Sequence, residues 1–167
     1  NGRTRRMRVF LDRERLEAGE RWDQGFIQNG VAASTLVLPL ISAGALARMA
    51  TLASPTEDTI DWLLLEWEVT LALEAAGRVG KVYPILIGKQ DGTGARTDFF
   101  EDGSATEVSL PDTPSPLTAA ETAKFLQDID SSITPEVRSV RGTLDALLRF
   151  QAFNLRTQSG VHGSNAT

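Results

Sequence analysis

Leu36-Val37-Leu38-Pro39-Leu40-Ile41 is an unbroken apolar run. A strand with one wet face alternates apolar and polar residues. A continuous run instead predicts a parallel strand covered on both faces. Two further runs of this kind lie on either side of it, Met7 to Leu11 and Val82 to Ile87. The segments between them have helical spacing. Glu20 to Ala33 places Trp22, Phe26, Ile27 and Val31 near one stripe. Thr59 to Ala76 carries Leu63, Leu64, Trp67, Leu71 and Ala75 at helical intervals, with Asp58 and Thr59 as natural caps and Gly77 as its stop. Strands alternating with helices predict an α/β domain with a parallel sheet and right-handed crossovers.

Beyond the third run, Lys89 to Pro116 is rich in Gly, Asp, Thr, Ser and Pro and reads as loop, with a short edge strand over Thr106 to Leu110. Thr118 to Asp130 reads as a helix capped by Thr118, with Glu121 completing a capping box. Pro135 to Phe153 presents Val140, Leu144, Leu147, Leu148 and Phe150 as an amphipathic closing helix. Three strands, or four with the weak one, are few for a doubly wound sheet, which averages about five or six. The expectation is a domain lacking its first strand and helix, organised as a basic remnant (1–6), the domain itself (7–155) and a polar tail (156–167). The chain opens on Asn1, which fits a fragment.

At 167 residues the chain is one domain long. Its net charge of −5 argues against a general nucleic-acid partner, the local cluster Arg3, Arg5, Arg6 and Arg8 notwithstanding. There is no cysteine, so disulfides and thiolate metal sites are excluded. The one histidine, His162, sits in the polar tail, which makes a Ser-His-Asp arrangement a poor fit. No apolar stretch approaches the ~20 residues of a membrane helix, so a cytoplasmic protein is expected.

Ligands of open α/β sheets bind beyond the carboxyl ends of the strands. The loops that leave such ends are Asp12 to Glu20, Ser42 to Asp58, and Gly88 onward. Asp12, Ser42 and Lys89 follow successive strands as in a phosphoacceptor receiver domain, but the acidic pair that would hold its magnesium is missing. No phosphate-cradling Gly-rich motif is present. Glu66 is sharper. It interrupts Leu63-Leu64-Leu65-Glu66-Trp67, and Trp62 shares its helix face one turn earlier. An indole beside a carboxylate suits a flat heteroaromatic ring attached to a sugar. On these residues alone a plainer alternative stays open, in which Glu66 reaches solvent from a half-buried helix and Trp62 belongs to the core. Glu68 and Glu74 read as helix-surface acids.

Val9-Phe10-Leu11-Asp12-Arg13-Glu14-Arg15-Leu16-Glu17-Ala18-Gly19 resembles the second strand and BB loop of TIR (Toll/interleukin-1 receptor) domains. Thr35 to Ser42 looks like the third strand of that family, Asp61-Trp62-Leu63-Leu64-Leu65-Glu66 like its Trp-x-x-x-Glu helix, Val82 to Gly88 like the next strand, and Leu144 to Gln151 like its closing helix. The resemblance runs from about Met7 to Leu155. It implies a flavodoxin-like three-layer sandwich with a central parallel sheet, here without its first strand. It also implies one of two functions. Many TIR domains cleave NAD+ at the nicotinamide–ribosyl bond, giving nicotinamide and linear or cyclic ADP-ribose in innate-immune or cell-death signalling. In these, the glutamate matching Glu66 is catalytic, the aromatic matching Trp62 lines the nicotinamide site, and Glu17, Asp12 and Ser42 fall at positions near the ligand. The resemblance implies NAD+ as substrate with no separate cofactor and no metal. It further implies self-association of TIR domains through the BB loop around Gly19. The other class acts as non-catalytic scaffolds by homotypic pairing, and many of its members lack the glutamate that this chain keeps.

Overall fold

The computed structural model describes residues 25–52, 59–87, 89–90, 96–97, 108–150 and 153–155. Within them the chain is mixed α/β with short parallel strands. A π-helical segment, Gly25–Val31, leads to β1 (Leu36–Val37) and β2 (Leu40–Ser42), then α1 (Ala43–Met49) and α2 (Trp62–Ala75). Strands β3 (Lys81–Val82) and β4 (Ile85–Ile87) follow, then a small antiparallel pair, β5 (Lys89–Gln90) and β6 (Arg96–Thr97). Helices α3 (Pro116–Ile129) and α4 (Val140–Leu148) precede β7 (Phe153–Leu155).

The first two described apolar runs pair with each other. β1 lies parallel to β3, with Leu36 opposite Lys81, and β2 lies parallel to β4 in the same register, with Leu40 opposite Ile85. The ladder breaks between them for a covalent reason. Tyr83 donates its N–H to the Val37 carbonyl at 3.0 Å and Ile85 donates to the Pro39 carbonyl at 2.8 Å. The return bond would come from the N–H of residue 39, and proline has none. β7 lies parallel to β4 on the side away from β2, with Ile85 opposite Phe153.

The reading of strands covered on both faces is half correct. Ile41, Val82 and Leu86 are buried together with Pro39 and Pro84. Leu36, Leu38 and Leu40 alternate with the inward residues and are 40%, 47% and 51% exposed. The reason lies in α2. Every residue from Trp67 to Leu73 is buried, so this helix is packed on all sides. It touches α3, α4, the π-helical segment and β3, and the core condenses around it on one face of the sheet. Trp67 lies in that core, as its spacing predicted.

Several element boundaries differ from expectation. The loop over Ser42 to Asp58 contains α1, and the cap of α2 is Asp61 in place of Asp58 or Thr59. Helix α3 starts at Ser115 with Pro116 in its first turn, and the Ser115 hydroxyl donates to Thr118 Oγ1 at 2.9 Å, so Thr118 is a partner within the first turn and not the cap. Val108 to Leu110 is not a strand. The residues just after it, Pro111 to Thr113, lie against the start of α4, where Val140 and Arg141 donate their N–H groups to the Thr113 and Pro111 carbonyls. The closing helix is shorter than predicted, because Ser139 caps α4 through the Gly142 N–H at 2.9 Å. It does not close the fold either, since β7 follows it in the sheet. The stop of α2 is as read. Gly77 sits at φ 69°, and Arg78 and Gly77 return their N–H groups to Leu73 and Glu74, the six-to-one and five-to-two bonds of a Schellman ending. No helix among the described residues is long and apolar enough to cross a membrane.

Candidate active site

Two helix starts build the site. Ser42 ends β2, and its side-chain oxygen accepts the Ala45 N–H at 3.3 Å, which caps α1. This short helix buries Ala45, Leu46 and Met49 and leaves Arg48 on its outer side. Asp61 then starts α2, its Oδ1 accepting the Leu64 N–H at 2.9 Å. A cap of this kind is worth about 1 kcal/mol and favours an anion at the positive end of the helix.

The same carboxylate receives Arg48. Nε donates to Oδ2 at 2.6 Å and Nη2 to Oδ1 at 3.2 Å, a side-on fork. The Asp61 side chain is 3% exposed and that of Arg48 57%, so the pair has a buried anchor and a wet arm. Solvent screening holds its contribution to stability to about 1 kcal/mol. Its larger effect is geometric, since it joins the end of α1 to the start of α2. The Asp61 hydrogen bond raises the Arg48 pKa above its ordinary value against the cost of burial, and the charges of Asp61 and Glu66 act in the same direction.

A cleft of about 590 Å³ opens here, lined by Arg48, Asp61, Trp62 and Glu66 together with Thr51, Leu52, Thr59, Ile60 and Leu63. Trp62 and Glu66 therefore meet in one cavity, as their spacing predicted, and both are half-buried. One cation faces two carboxylates among these residues. The balance is negative, which suits a flat, positively charged ring or a cationic transition state. Ser42 is not in the lining, because its oxygen is engaged in capping α1. Asp12, Glu17 and Gly19 lie outside the described residues, as does the expected strand Met7 to Leu11.

Glu68 corrects the surface reading given to it. It is 7% exposed and faces α3, where Thr122 donates its hydroxyl to Glu68 Oε2 at 2.8 Å. Burial pushes its pKa up, while the Thr122 hydrogen bond and the charge of Arg138 pull it back part of the way.

Arg48 and Asp61 are the site residues that sequence reasoning missed. The signals were there to use. An alanine-rich stretch follows a serine able to cap it, and Asp61 stands immediately before the apolar face of α2. Compared with known protein families, curated proteins and solved structures, the chain finds no match in any of the three.

Proposed function

We propose that this chain is an NAD+ glycohydrolase of the TIR type, on a flavodoxin-like fold, working in the cytoplasm in innate-immune or cell-death signalling. One observation carries the reading. Trp62 and Glu66 line a single cleft of about 590 Å³ whose described lining carries two carboxylates and one cation, a size within the usual range of ligand pockets. In the proposed reaction the bond between ribose C1′ and the nicotinamide nitrogen breaks. The electron pair leaves with the ring, which becomes neutral nicotinamide. The ribosyl group passes through an oxocarbenium-like state, and water captures it to give ADP-ribose and a proton. Glu66 stabilises the positive sugar electrostatically. Trp62 stacks on the departing ring. Asp12, Glu17 and the loop around Gly19 enter through the resemblance alone, as the part of a pocket completed when copies of the domain assemble.

The test is chromatographic measurement of nicotinamide released from NAD+ by wild type and by Glu66→Ala. Wild type releases it, increasingly with protein concentration, and the folded variant loses at least about 100-fold. Undiminished release by that variant removes the mechanism. A second reading, a non-catalytic TIR scaffold, draws on the exposed strip Leu36, Leu38 and Leu40, an apolar face of the kind that marks protein contacts. It takes over if wild type self-associates and releases no nicotinamide.

A further inference from the structure

Arg48 is the one cation among the described residues that line the cleft. Asp61 holds it side-on through Nε and Nη2. That fork uses one edge of the guanidinium. The other edge, Nη1 with the second Nη2 hydrogen, lies outside the bond to Asp61. A guanidinium edge of this kind matches two oxygens of a phosphate, and arginine is the usual residue where such planar recognition is needed. A free arginine loses much rotamer freedom on binding a ligand. Here the buried carboxylate has already fixed the side chain, while more than half of it stays exposed, at 57%. Thr59 brings a hydroxyl to the same cleft.

We infer that Arg48, clamped by Asp61, is the phosphate-binding arm of this cleft, and that the phosphate it takes is the diphosphate of a nucleotide. The inference rests on the nucleotide reading of the cleft given above, but not on cleavage. It also sets the direction of binding. A ligand with its phosphates at Arg48 and a cationic ring toward Trp62 and Glu66 matches the charges, whereas the reverse orientation sets phosphate against carboxylate.

Calorimetric titration with inorganic pyrophosphate tests the arm on wild type, Arg48→Ala, Arg48→Lys and Asp61→Asn, beside KM and kcat for NAD+. Arg48→Ala weakens pyrophosphate about 10-fold or more and raises the NAD+ KM by a similar factor with kcat held, and Arg48→Lys restores part of both. Asparagine still caps α2, so Asp61→Asn keeps the helix start but loses the clamp, and it binds pyrophosphate more weakly than wild type and more tightly than Arg48→Ala. Binding as tight as wild type would show that the clamp does not prepare the arm. Loss of binding in Asp61→Asn equal to that in Arg48→Ala overturns the arm, because the pair would then only hold the cleft in shape. So does failure of wild type to bind pyrophosphate. The two readings separate cleanly. Arg48-dependent pyrophosphate binding without nicotinamide release keeps the arm and removes the glycohydrolase. Nicotinamide release with an unchanged KM in Arg48→Ala does the opposite.

Discussion

Glu66 and Glu68 stand on the same helix with one residue between them, and their surroundings are opposite. Residues i and i+2 of an α-helix point to different sides. Glu66 lines the cleft with Arg48, Asp61 and Trp62, half-buried and within the field of a wet guanidinium. Glu68 is shut between α2 and α3, with the Thr122 hydroxyl on its carboxylate and Arg138 as the nearby charge. The Arg138 charge is shared, because Arg138 also pairs with Glu136. The first carboxylate faces the cleft. The second ties helices together, and burial disfavours its charge. A carboxylate on a helix therefore takes its role from the partner element on its side, not from its neighbours along the chain.

That contrast can be broken in graded steps. Exchanging the two glutamates' expected phenotypes would break it most completely. Glu66→Ala is expected to lose at least about 100-fold in nicotinamide release with a melting temperature near that of wild type, whereas Glu68→Ala acts on stability. Differential scanning calorimetry beside the release assay checks both. Next in size is Asp61→Ala, which removes the cap of α2 and the anchor of Arg48 together. A loss of about 2 kcal/mol lowers the melting temperature by roughly 4–8 °C, and a shift below a degree would show that the fork and cap hold nothing. Thr122→Val keeps the shape of the side chain but takes the donor from Glu68 Oε2. It costs about 1.5–3 kcal/mol at neutral pH and less in acid, a difference that denaturant titrations at two pH values measure.

What was legible in the sequence follows the same division between local and distant causes. Leu36 to Ile41 and Val82 to Ile87 announce parallel strands because an apolar run is a local property, and Pro39 could have been read as the break in the ladder. Phe153–Leu155 could not be read as a strand from its own residues. It continues the apolar series of α4, and only its pairing with β4 decides its conformation. The Trp62–Glu66 pair is a matter of helical spacing and was visible. The Arg48–Asp61 fork joins two separate helices, so the caps that start them are legible in the sequence but the pairing between them is not. Glu68 was misread because its partner Thr122 lies 54 positions along the chain. A polar residue on a helix reads as surface until another element covers it.

The smallest expected effect is also the one that tests the contrast most directly. Burial raises the Glu68 pKa above its ordinary 4.5, and the two attractive contacts offset this only in part. The folded protein therefore binds a proton at this site more tightly than the unfolded chain does. Stability linked to the site is fully present below the unfolded value, and it falls as pH rises toward the raised folded value. Above that window the folded state carries a buried charge that the unfolded state keeps in water. Glu68→Gln removes the titration while its side-chain oxygen still accepts from Thr122. Its stability relative to wild type should therefore rise between about pH 4 and neutrality. Urea titrations of this variant and wild type across that range are the measurement. Absence of a rise for Glu68→Gln would mean that closure between α2 and α3 does not disfavour its charge, and the contrast with Glu66, which lines the cleft, would lose its physical basis.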